Sequence, residues 1–481
     1  MLLKNMIQEK LDNLEKLDIT AKQKAETQTR FLQKLALLTH AFYEGKMMVM
    51  PKVSLRHPLL FSIWYTPGVA SVSRAIRGNN ELSFSLSNRH NSVAVVSDST
   101  RVLGDGDCTP PGGLGVMEGK ALLMKFLGGV DATALCVNSK DEQGQPTASK
   151  LIDFVKMCAP SFGAINLEDI SSPNCYQVLD TLREESEIPV WHDDAQGTAC
   201  VTLAGLLNAL KLTGKKIEDV KMVFFGVGAA NTSVINLIWQ IGGNPKNMIV
   251  LNSKGGLHVD RQEFAQDTRL YKQWEICQKT NPQKINKIEE ALKGADVLIA
   301  LSKPGPDTIK PEWISLMGQK AIVFACANPV PEIYPYAAKA AGAYIVATGR
   351  SDFPNQVNNS LGFPGILKGT LLVRARKITD AMAIAASKAI AGYIKDEDLS
   401  ADNIMPTMAD WELVPTVAAA VAEQAQKDGV ARKKITSKEV FARAKHDIEL
   451  IRQIQDLMEN KGFIKPIPDE IIEKAWLEAI P

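Results

Sequence analysis

The stretch K221-M-V-F-F-G-V-G-A-A-N231 decides the fold of this chain of 481 residues. It is an apolar run that leads into a G-x-G turn, and the following T232-S-V-I-N-L-I-W239 has the composition of a helix. A buried strand, a glycine turn and a helix in this order form the context of a dinucleotide-binding fingerprint. The pattern therefore predicts an α/β sheet that binds a dinucleotide here, although a bare G-x-G is often only a turn.

The glycines of this turn have separate tasks. Gly226 permits the tight turn, and Gly228 lets backbone N–H groups and the positive end of the helix approach a pyrophosphate. Asn231 stands where the fingerprint has a third glycine, which puts close packing of helix against strand in doubt more than phosphate contact. The predicted cofactor-binding residues of the turn are Gly226, Gly228, Ala229, Ala230 and Asn231.

The next predicted strand ends in M248-I-V-L-N-S-K-G255. An NAD-binding fold often has Asp or Glu at this point, which accepts a hydrogen bond from the ribose 2′-hydroxyl. Asn252 is neutral and does not repel a 2′-phosphate, and Ser253 and Lys254 offer that phosphate a hydroxyl and a positive charge. We therefore predict NADP as the cofactor, with NAD as the alternative. The plainer interpretation is that Lys254 is a solvated lysine in a turn.

Strand-like and helix-like segments alternate on both sides of this region, which indicates α/β architecture. A helical pattern covers about residues 4–45, and the strong helix former A199-C-V-T-L-A-G-L-L-N-A-L-K211 ends at a turn near residue 214. We predict an N-terminal α/β domain with leading helices at 1–214, a Rossmann-like domain at 215–433 and a helical tail at 434–481.

Composition excludes several classes of function. The formal net charge is +1, so the chain lacks the excess of positive charge that nucleic-acid binding requires. The seven cysteines are scattered without a C-x-x-C pair, which argues against a disulfide framework or a zinc site. The sequence has neither an apolar run of membrane-spanning length nor a signal-peptide pattern. We expect a cytoplasmic protein that binds small molecules, with no nucleic-acid or membrane partner.

Two acidic doublets lie close together in the sequence, in N166-L-E-D-I170 and V190-W-H-D-D-A-Q-G-T198. Their surroundings predict buried strands, in which adjacent side chains point to opposite faces. Each doublet would then aim one carboxylate at a common cleft and turn the other away. Burial of such charges is costly without a cation or a donor, but Asp and Glu also occur commonly at solvated strand ends.

Seven motifs follow one another in a fixed order along about residues 40–430. They are W64-Y-T-P-G-V-A70, V95-V-S-D-S-T-R-V-L-G-D-G-D107, V116-M-E-G-K120, N166-L-E-D-I170, W191-H-D-D-A-Q-G-T-A199, A325-C-A-N-P-V-P-E332 and N355-Q-V-N-N-S-L-G-F-P-G365. Together they resemble the malic enzymes, which oxidise and decarboxylate malate to pyruvate with NAD(P) and a divalent metal. The resemblance implies that the first domain holds substrate and metal and the second holds the dinucleotide.

The resemblance also assigns the acidic doublets. Glu168, Asp169 and Asp194 match the family's metal ligands, and three carboxylates suit Mn²⁺ or Mg²⁺. Asp193 matches the acid that pairs with the catalytic lysine.

Lys120 and Tyr65 match the general base and the general acid of the family. Without the resemblance, Lys120 would be interpreted as an exposed helix lysine, and Tyr65 as an aromatic plug with its hydroxyl in a turn. A lysine is almost fully protonated at neutral pH, so Lys120 needs burial or a nearby cation to act as a base.

Further matches concern substrate and cofactor. Arg101 matches an arginine that grips a substrate carboxylate in some members, a task that suits its planar fork. Asn328 and Asn359 match amides that contact the substrate, and Asn328 and Asn358 are also predicted to contact the cofactor. Asp105 stands where many relatives have an apolar residue, and nothing in the sequence explains it.

The length of the chain resembles that of the smaller malic enzymes, for which dimers are common, so we expect a homodimer. Two rival functions stay open. A malolactic enzyme would keep the cofactor bound and reduce pyruvate to lactate. A catalytically silent dinucleotide-binding sensor would lack at least one of the residues that carry the chemistry.

Overall fold

The structure is a computed structural model that describes residues 2–102 and 104–480, with the backbone alone for residues 2–5. The chain divides into two compact units, Met1–Val53 with Glu449–Pro481, and Ser54–Ile448. Among the helices of the described residues, none combines the length and apolar character that a membrane span requires.

Helices build the unit that contains both ends of the chain. They are α1 (Leu2–Glu15), α2 (Ala21–Tyr43), the second half of α19 (Ser437–Asn460) and α20 (Asp469–Leu477). The prediction of one helical stretch over 4–45 missed a break, because Thr20 begins a new helix. Its hydroxyl accepts from the backbone N–H of Gln23 at 3.2 Å, and the Gln23 side chain accepts from the N–H of Thr20 at 2.9 Å.

The first sheet of the larger unit is parallel throughout. Its strands are β1 (Ser92–Ser97), β2 (Asp131–Cys136), β3 (Ala164–Glu168) and β4 (Val190–His192), in the order β2-β1-β3-β4. The helices of this region are α3 (Leu59–Trp64), α4 (Val69–Gly78), α5 (Ser83–Leu86), α6 (Thr109–Gly128), α7 (Ala148–Cys158), α8 (Asn174–Glu185) and α9 (Thr198–Thr213). Helices α6, α7 and α8 connect successive strands, so all the strands end at the same edge of the sheet.

The second sheet contains the glycine turn. Its strands are β5 (Met222–Phe225), β6 (Met248–Asn252), β7 (Gly255–Gly256), β8 (Val297–Ala300), β9 (Ala321–Ala325) and β10 (Ala343–Thr348), in the order β10-β9-β8-β5-β6-β7. All pairs are parallel except β6 with β7. The chain changes direction across the sheet between β5 and β8, and such a switch point marks the crevice where an open α/β sheet binds a dinucleotide.

The remaining helices follow β5 in the chain. They are α10 (Ala229–Gln240), α11 (Glu263–Gln266), α12 (Tyr271–Lys279), α13 (Ile288–Leu292), α14 (Pro311–Ile314), α15 (Pro335–Ala340), α16 (Phe363–Leu372), α17 (Asp380–Ala391) and α18 (Leu413–Lys427). One apolar cluster contains Val93 of the first sheet, Phe224 of the second and Leu203 of α9. The predicted fold class is confirmed: two α/β domains, the second Rossmann-like, with helical extensions. The predicted boundaries at 214 and 433 stay predictions.

A glycine lets α16 approach α18 closely. A Cβ atom added at Gly369 would lie 2.3 Å from the carbonyl oxygen of Ala418, so the backbone would have to shift. We expect Gly369→Ala to lower the free energy of unfolding by about 1–3 kcal/mol in urea denaturation. The control is Gly115→Ala in α6, where no described atom lies within 4 Å of the added Cβ; it should be neutral or slightly stabilising. Equal stability of the two variants would contradict this packing.

Candidate active site

The acidic doublets lie at the carboxyl ends of neighbouring strands. Strand β3 ends at Glu168 and pairs in parallel with β4, which ends at His192. Only Glu168 belongs to a strand, because Asp169 has a φ of +52° and Asp193 and Asp194 begin a π-helical turn. The prediction that each doublet alternates between two faces of a strand is therefore wrong: the chain turns at the end of each strand.

These turns bring the acids together. The backbone N–H of Asp169 donates to Asp194 Oδ2 at 2.7 Å. Glu168, Asp169 and Asp193 are buried, whereas the side chain of Asp194 is 42% exposed. The cluster therefore reaches from the interior to the surface.

Lys120 is the cation of this cluster. Helix α6 carries it to the edge of the sheet, where its Nζ donates to Asp193 and lies 3.0 Å from Glu168 Oε1. Burial lowers the pKa of Lys120, but Asp193, Glu168 and Asp194 raise it by more, so the pKa lies above its ordinary value. Lys120 is an ammonium ion in this arrangement.

The pKa of the Glu168 carboxyl group is also raised, well above its ordinary value. Burial is the largest cause; Lys120 lowers the pKa in part, while Asp194, Asp193 and Asp169 raise it further. The cluster holds four carboxyl groups, Glu168, Asp169, Asp193 and Asp194, beside the one ammonium ion of Lys120, so a further cation would stabilise its ionised form.

Asp193 is held in place on several sides. Trp191 Nε1 donates to its Oδ1 at 3.2 Å, and Asn359 Nδ2 donates to its Oδ2 at 3.0 Å. A Cβ atom at Gly197 would lie 2.0 Å from Asp193 Oδ1, so that position has room only for glycine. These contacts fix the carboxylate that orients Lys120. The roles of Trp191 and Gly197 were missed in the sequence, although both lie in the same motif as Asp193.

The predicted metal ligands Glu168, Asp169 and Asp194 supply oxygen atoms only, which suits Mg²⁺ or Mn²⁺. In the part of the chain that the structure describes, no three His, Cys, Asp or Glu side chains stand in a metal-ligand arrangement. The residue types and the unbalanced charge thus fit a divalent cation, while the side chains do not form a preset cage.

Arg101 lies next to the acids, and Tyr65 is exposed on the surface of the chain. The backbone N–H of Arg101 donates to the carbonyl oxygen of Asp169 at 3.0 Å, and the arginine side chain is exposed. Tyr65 follows α3 and is 73% exposed. Exposure of this degree leaves its ring outside the buried cluster around Lys120.

The dinucleotide turn has the predicted form. Gly226 has a φ of +100°, and a Cβ atom there would lie 2.4 Å from the carbonyl oxygen of Leu301, so the turn requires glycine. Gly228 directly precedes the first turn of α10, which contains Ala229 and Ala230.

Asn231 stands in place of the third glycine and holds the helix against the strand by hydrogen bonds. It is fully buried, and its Nδ2 donates to the carbonyl oxygen of Gly226 at 2.8 Å and to that of Phe225 at 3.2 Å. A side-chain amide therefore fastens the helix to the end of the strand, in place of close packing at a glycine.

The residues predicted to select NADP form an open turn after β6. Asn252 Oδ1 accepts from the backbone N–H of Lys254 at 2.9 Å. Ser253 and Lys254 are exposed, and both can therefore meet a ligand from solvent.

Of the predicted asparagines, Asn328 lies at the carboxyl end of the strands of the second sheet, and Asn359 lies beside Asp193. Asn328 follows β9, and a Cβ atom at Gly349 would lie 2.8 Å from its Nδ2, so the amide packs over a glycine. Asn358 Oδ1 accepts from the backbone N–H of Ser360 at 2.9 Å and caps a short helix. The next residue, Asn359, is the one that contacts Asp193.

Two family models together match most of the chain. The model described as malic enzyme, N-terminal domain, matches residues 44–183, and the model described as malic enzyme, NAD binding domain, matches residues 195–426. The chain belongs to the malic enzyme family.

Similar malic enzymes are named for either dinucleotide. The bifunctional malic/malolactic enzyme of Bacillus subtilis is 42% identical over 410 residues, which are 85% of this chain and 97% of that protein. The NAD-dependent malic enzyme of Geobacillus stearothermophilus is 44% identical, with coverage of 81% and 78%. The NADP-dependent malic enzyme of Halomonas elongata is 38% identical, with coverage of 77% and 87%.

The malic enzyme architecture is shared over nearly the whole chain. The crystal structure of the Entamoeba histolytica malic enzyme matches with a TM-score of 0.95 and 56% identity, over 96% of each chain. That of the malic enzyme from Pyrococcus horikoshii matches with a TM-score of 0.80 and 46% identity, over 90% of this chain and 96% of the other.

Proposed function

We propose that the chain catalyses the oxidative decarboxylation of L-malate to pyruvate and CO₂ with reduction of NADP. The proposal rests on one observation: in this member of the malic enzyme family, the partly buried Lys120 contacts Asp193 and Glu168 at the carboxyl edge of the first sheet. NAD is the alternative cofactor.

Glu168, Asp169 and Asp194 are the residues that would hold Mn²⁺ or Mg²⁺. When bound, the ion draws electron density from the substrate oxygens and the nicotinamide accepts a hydride, chemistry that the side chains cannot supply. The four carboxyl groups gathered around one ammonium ion support a cation at this place.

Lys120 accepts the proton of the malate hydroxyl in the proposed reaction. Its acidic neighbours raise its pKa and so oppose this role. Part of the negative charge of Glu168 and Asp194 would be neutralised by a divalent cation that they hold. The pKa of Lys120 would then fall, because these two charges help to keep its amine protonated. Asp193, fixed by Trp191, keeps the amine in one orientation while its charge changes.

Tyr65 donates a proton to C3 of the enolpyruvate that remains after CO₂ is lost, which gives pyruvate, and we propose that a homodimer shields Tyr65 from water. Exposed apolar side chains directly precede it in the chain, and a patch of this kind marks a protein interface. These side chains are Leu59, Phe61, Ile63 and Trp64, each at least 50% exposed.

NADP and a cytoplasmic location complete the proposal. Asn252 and the exposed Ser253 and Lys254 support NADP because they offer a 2′-phosphate a charge and a hydroxyl without an opposing acid. All seven cysteines are free thiols, which supports a reducing compartment.

The deciding experiment measures malate-dependent formation of reduced cofactor with Mn²⁺, in separate series with NADP and NAD, and assays pyruvate and lactate in the same samples. We expect pyruvate and NADPH in equal amounts. A clear preference for NAD would keep the reaction and overturn the cofactor assignment. Lactate without net reduced cofactor would favour the malolactic reaction, and no turnover of malate would favour the silent sensor.

A further inference from the structure

Glu332 is a fully buried carboxylate without a role in the proposed chemistry. Its Oε1 accepts from the backbone N–H of Ser302 at 2.8 Å and from the Ser302 hydroxyl at 3.1 Å. Its Oε2 accepts from the backbone N–H of Ala327 at 3.0 Å. Ser302 follows β8 and Ala327 follows the adjacent β9, so one carboxylate joins the loops at the ends of two neighbouring strands.

Backbone hydrogen bonds continue the same connection. The N–H of Gly305 donates to the carbonyl oxygen of Val330 at 3.3 Å, and that of Ile309 donates to the carbonyl oxygen of Glu332 at 2.9 Å. The two loops therefore form one connected layer at the carboxyl edge of the second sheet.

On one side, this layer forms a wall of the dinucleotide turn. A Cβ atom at Gly226 would lie 2.4 Å from the carbonyl oxygen of Leu301 and 3.2 Å from the Cα of Ser302. A shift of Ser302 would therefore change the space around the glycine turn directly.

On the other side, the layer carries Asn328. Ala327, which donates to Glu332, immediately precedes Asn328 in the chain. The Asn328 amide packs over Gly349, and a Cβ atom at Gly104 would lie 3.2 Å from the Asn328 carbonyl oxygen. Asn328 therefore depends on close neighbours on several sides for its position.

We propose that Glu332 is a positioning residue that holds Asn328 and the wall of the glycine turn in the arrangement that binds dinucleotide and malate. This inference rests on the proposed function. Above a pH of about 7 the Glu332 side chain is ionised and only accepts hydrogen bonds, and here three donors converge on it. A glutamine of nearly the same shape would turn an NH₂ group toward at least one of those donors.

The raised pKa of Glu332 agrees with its role as a positioning residue. Burial raises its pKa to about 7, and hydrogen bonds from Ala327 and Ser302 limit that rise. A buried acid with such a perturbed pKa is a candidate for a functional role.

The test compares Glu332→Gln with the same change at a carboxylate elsewhere that accepts the same number of hydrogen bonds. Asp380 likewise accepts three hydrogen bonds, in its case all from side chains, those of Arg183, Asn236 and Gln240, and it pairs with the charge of Arg183; Asp380→Asn is the control. We expect Glu332→Gln to raise KM for malate and for NADP about tenfold or more, with a smaller change in kcat, because bonds to a charged acceptor are lost. Asp380→Asn should lower the melting temperature and leave both KM values near those of the unchanged enzyme.

Dinucleotide binding is measured as well, by fluorescence titration with NADPH and NADH, so that the inference is tested apart from malate turnover. Weaker binding by Glu332→Gln than by Asp380→Asn supports the inference even if no malate is oxidised. Unchanged KM and dinucleotide affinity in Glu332→Gln, with or without loss of stability, would overturn it. If Glu332→Gln does not fold, Ser302→Ala removes only the hydroxyl donor. Its KM values should then rise by about two- to fivefold, and unchanged values would also overturn the inference.

Discussion

Lys120→Ala is expected to lower kcat for malate oxidation by roughly 10²- to 10⁴-fold, or about 3–5 kcal/mol of barrier. The variant removes the amine that contacts Asp193 and Glu168, and no other basic side chain of the site is proposed to accept the hydroxyl proton. Steady-state kinetics with Mn²⁺ and the preferred dinucleotide measure the loss.

The same change leaves two buried acids without their ammonium ion and can therefore destabilise the fold. A second variant must show whether activity falls because the protein unfolds or because the general base is missing. Lys120→Arg keeps the positive charge but does not deprotonate, and it should be about as inactive as the alanine variant while melting closer to the unchanged enzyme. Lys125→Ala is the matched control, because Lys125 lies on the same helix and pairs with Asp131 at 2.6 Å. Substantial activity in Lys120→Arg would contradict the role of a base.

The fold could be predicted from the sequence because its signals are local. The run K221-M-V-F-F-G-V-G-A-A-N231 contains a buried strand, a turn and the start of a helix within a few residues, and the structure has each of them. The break at Thr20 was also visible in the sequence as a capping pattern.

The geometry of the site could be predicted only in part, because it depends on contacts between distant segments. The identity of Lys120, Asp193 and Glu168 was accessible through motifs, and their proximity follows from parallel strands that end at one edge. The turn at Asp169 and the hydrogen bonds to Glu332 depend on contacts with residues that are distant in the sequence. A single sequence therefore predicts which residue types form the site. The contacts that hold those residues in position are known only from the folded structure.

Tyr65→Phe is expected to lower kcat by roughly 10²- to 10⁴-fold as well, because the ring stays and only the proton donor is lost. Tyr344→Phe is the control, since Tyr344 is also partly exposed and lies on β10, away from the proposed chemistry. Both variants should melt like the unchanged enzyme. Retention of activity in Tyr65→Phe would remove this residue from the mechanism.

The exposure of Tyr65 raises the question of which site it serves. Within one chain, Tyr65 is 73% exposed, whereas Lys120 is inside the acidic cluster. A homodimer that covers the apolar residues next to Tyr65 would bring its ring to the other copy of the chain. We therefore expect each site to combine Lys120 of one subunit with Tyr65 of the other.

A mixed dimer tests this arrangement. Co-expression of Lys120→Ala and Tyr65→Phe chains with different affinity tags, followed by purification on both tags, yields dimers with one variant of each kind. If Tyr65 acts across the interface, one of the two sites has both residues intact, and the mixed dimer should recover about half the activity of the unchanged dimer. If Tyr65 acts within its own chain, each site lacks one residue and the mixed dimer stays as inactive as its parents. A chain that elutes as a monomer at assay concentration, yet is fully active, would contradict both the dimer and the shared site.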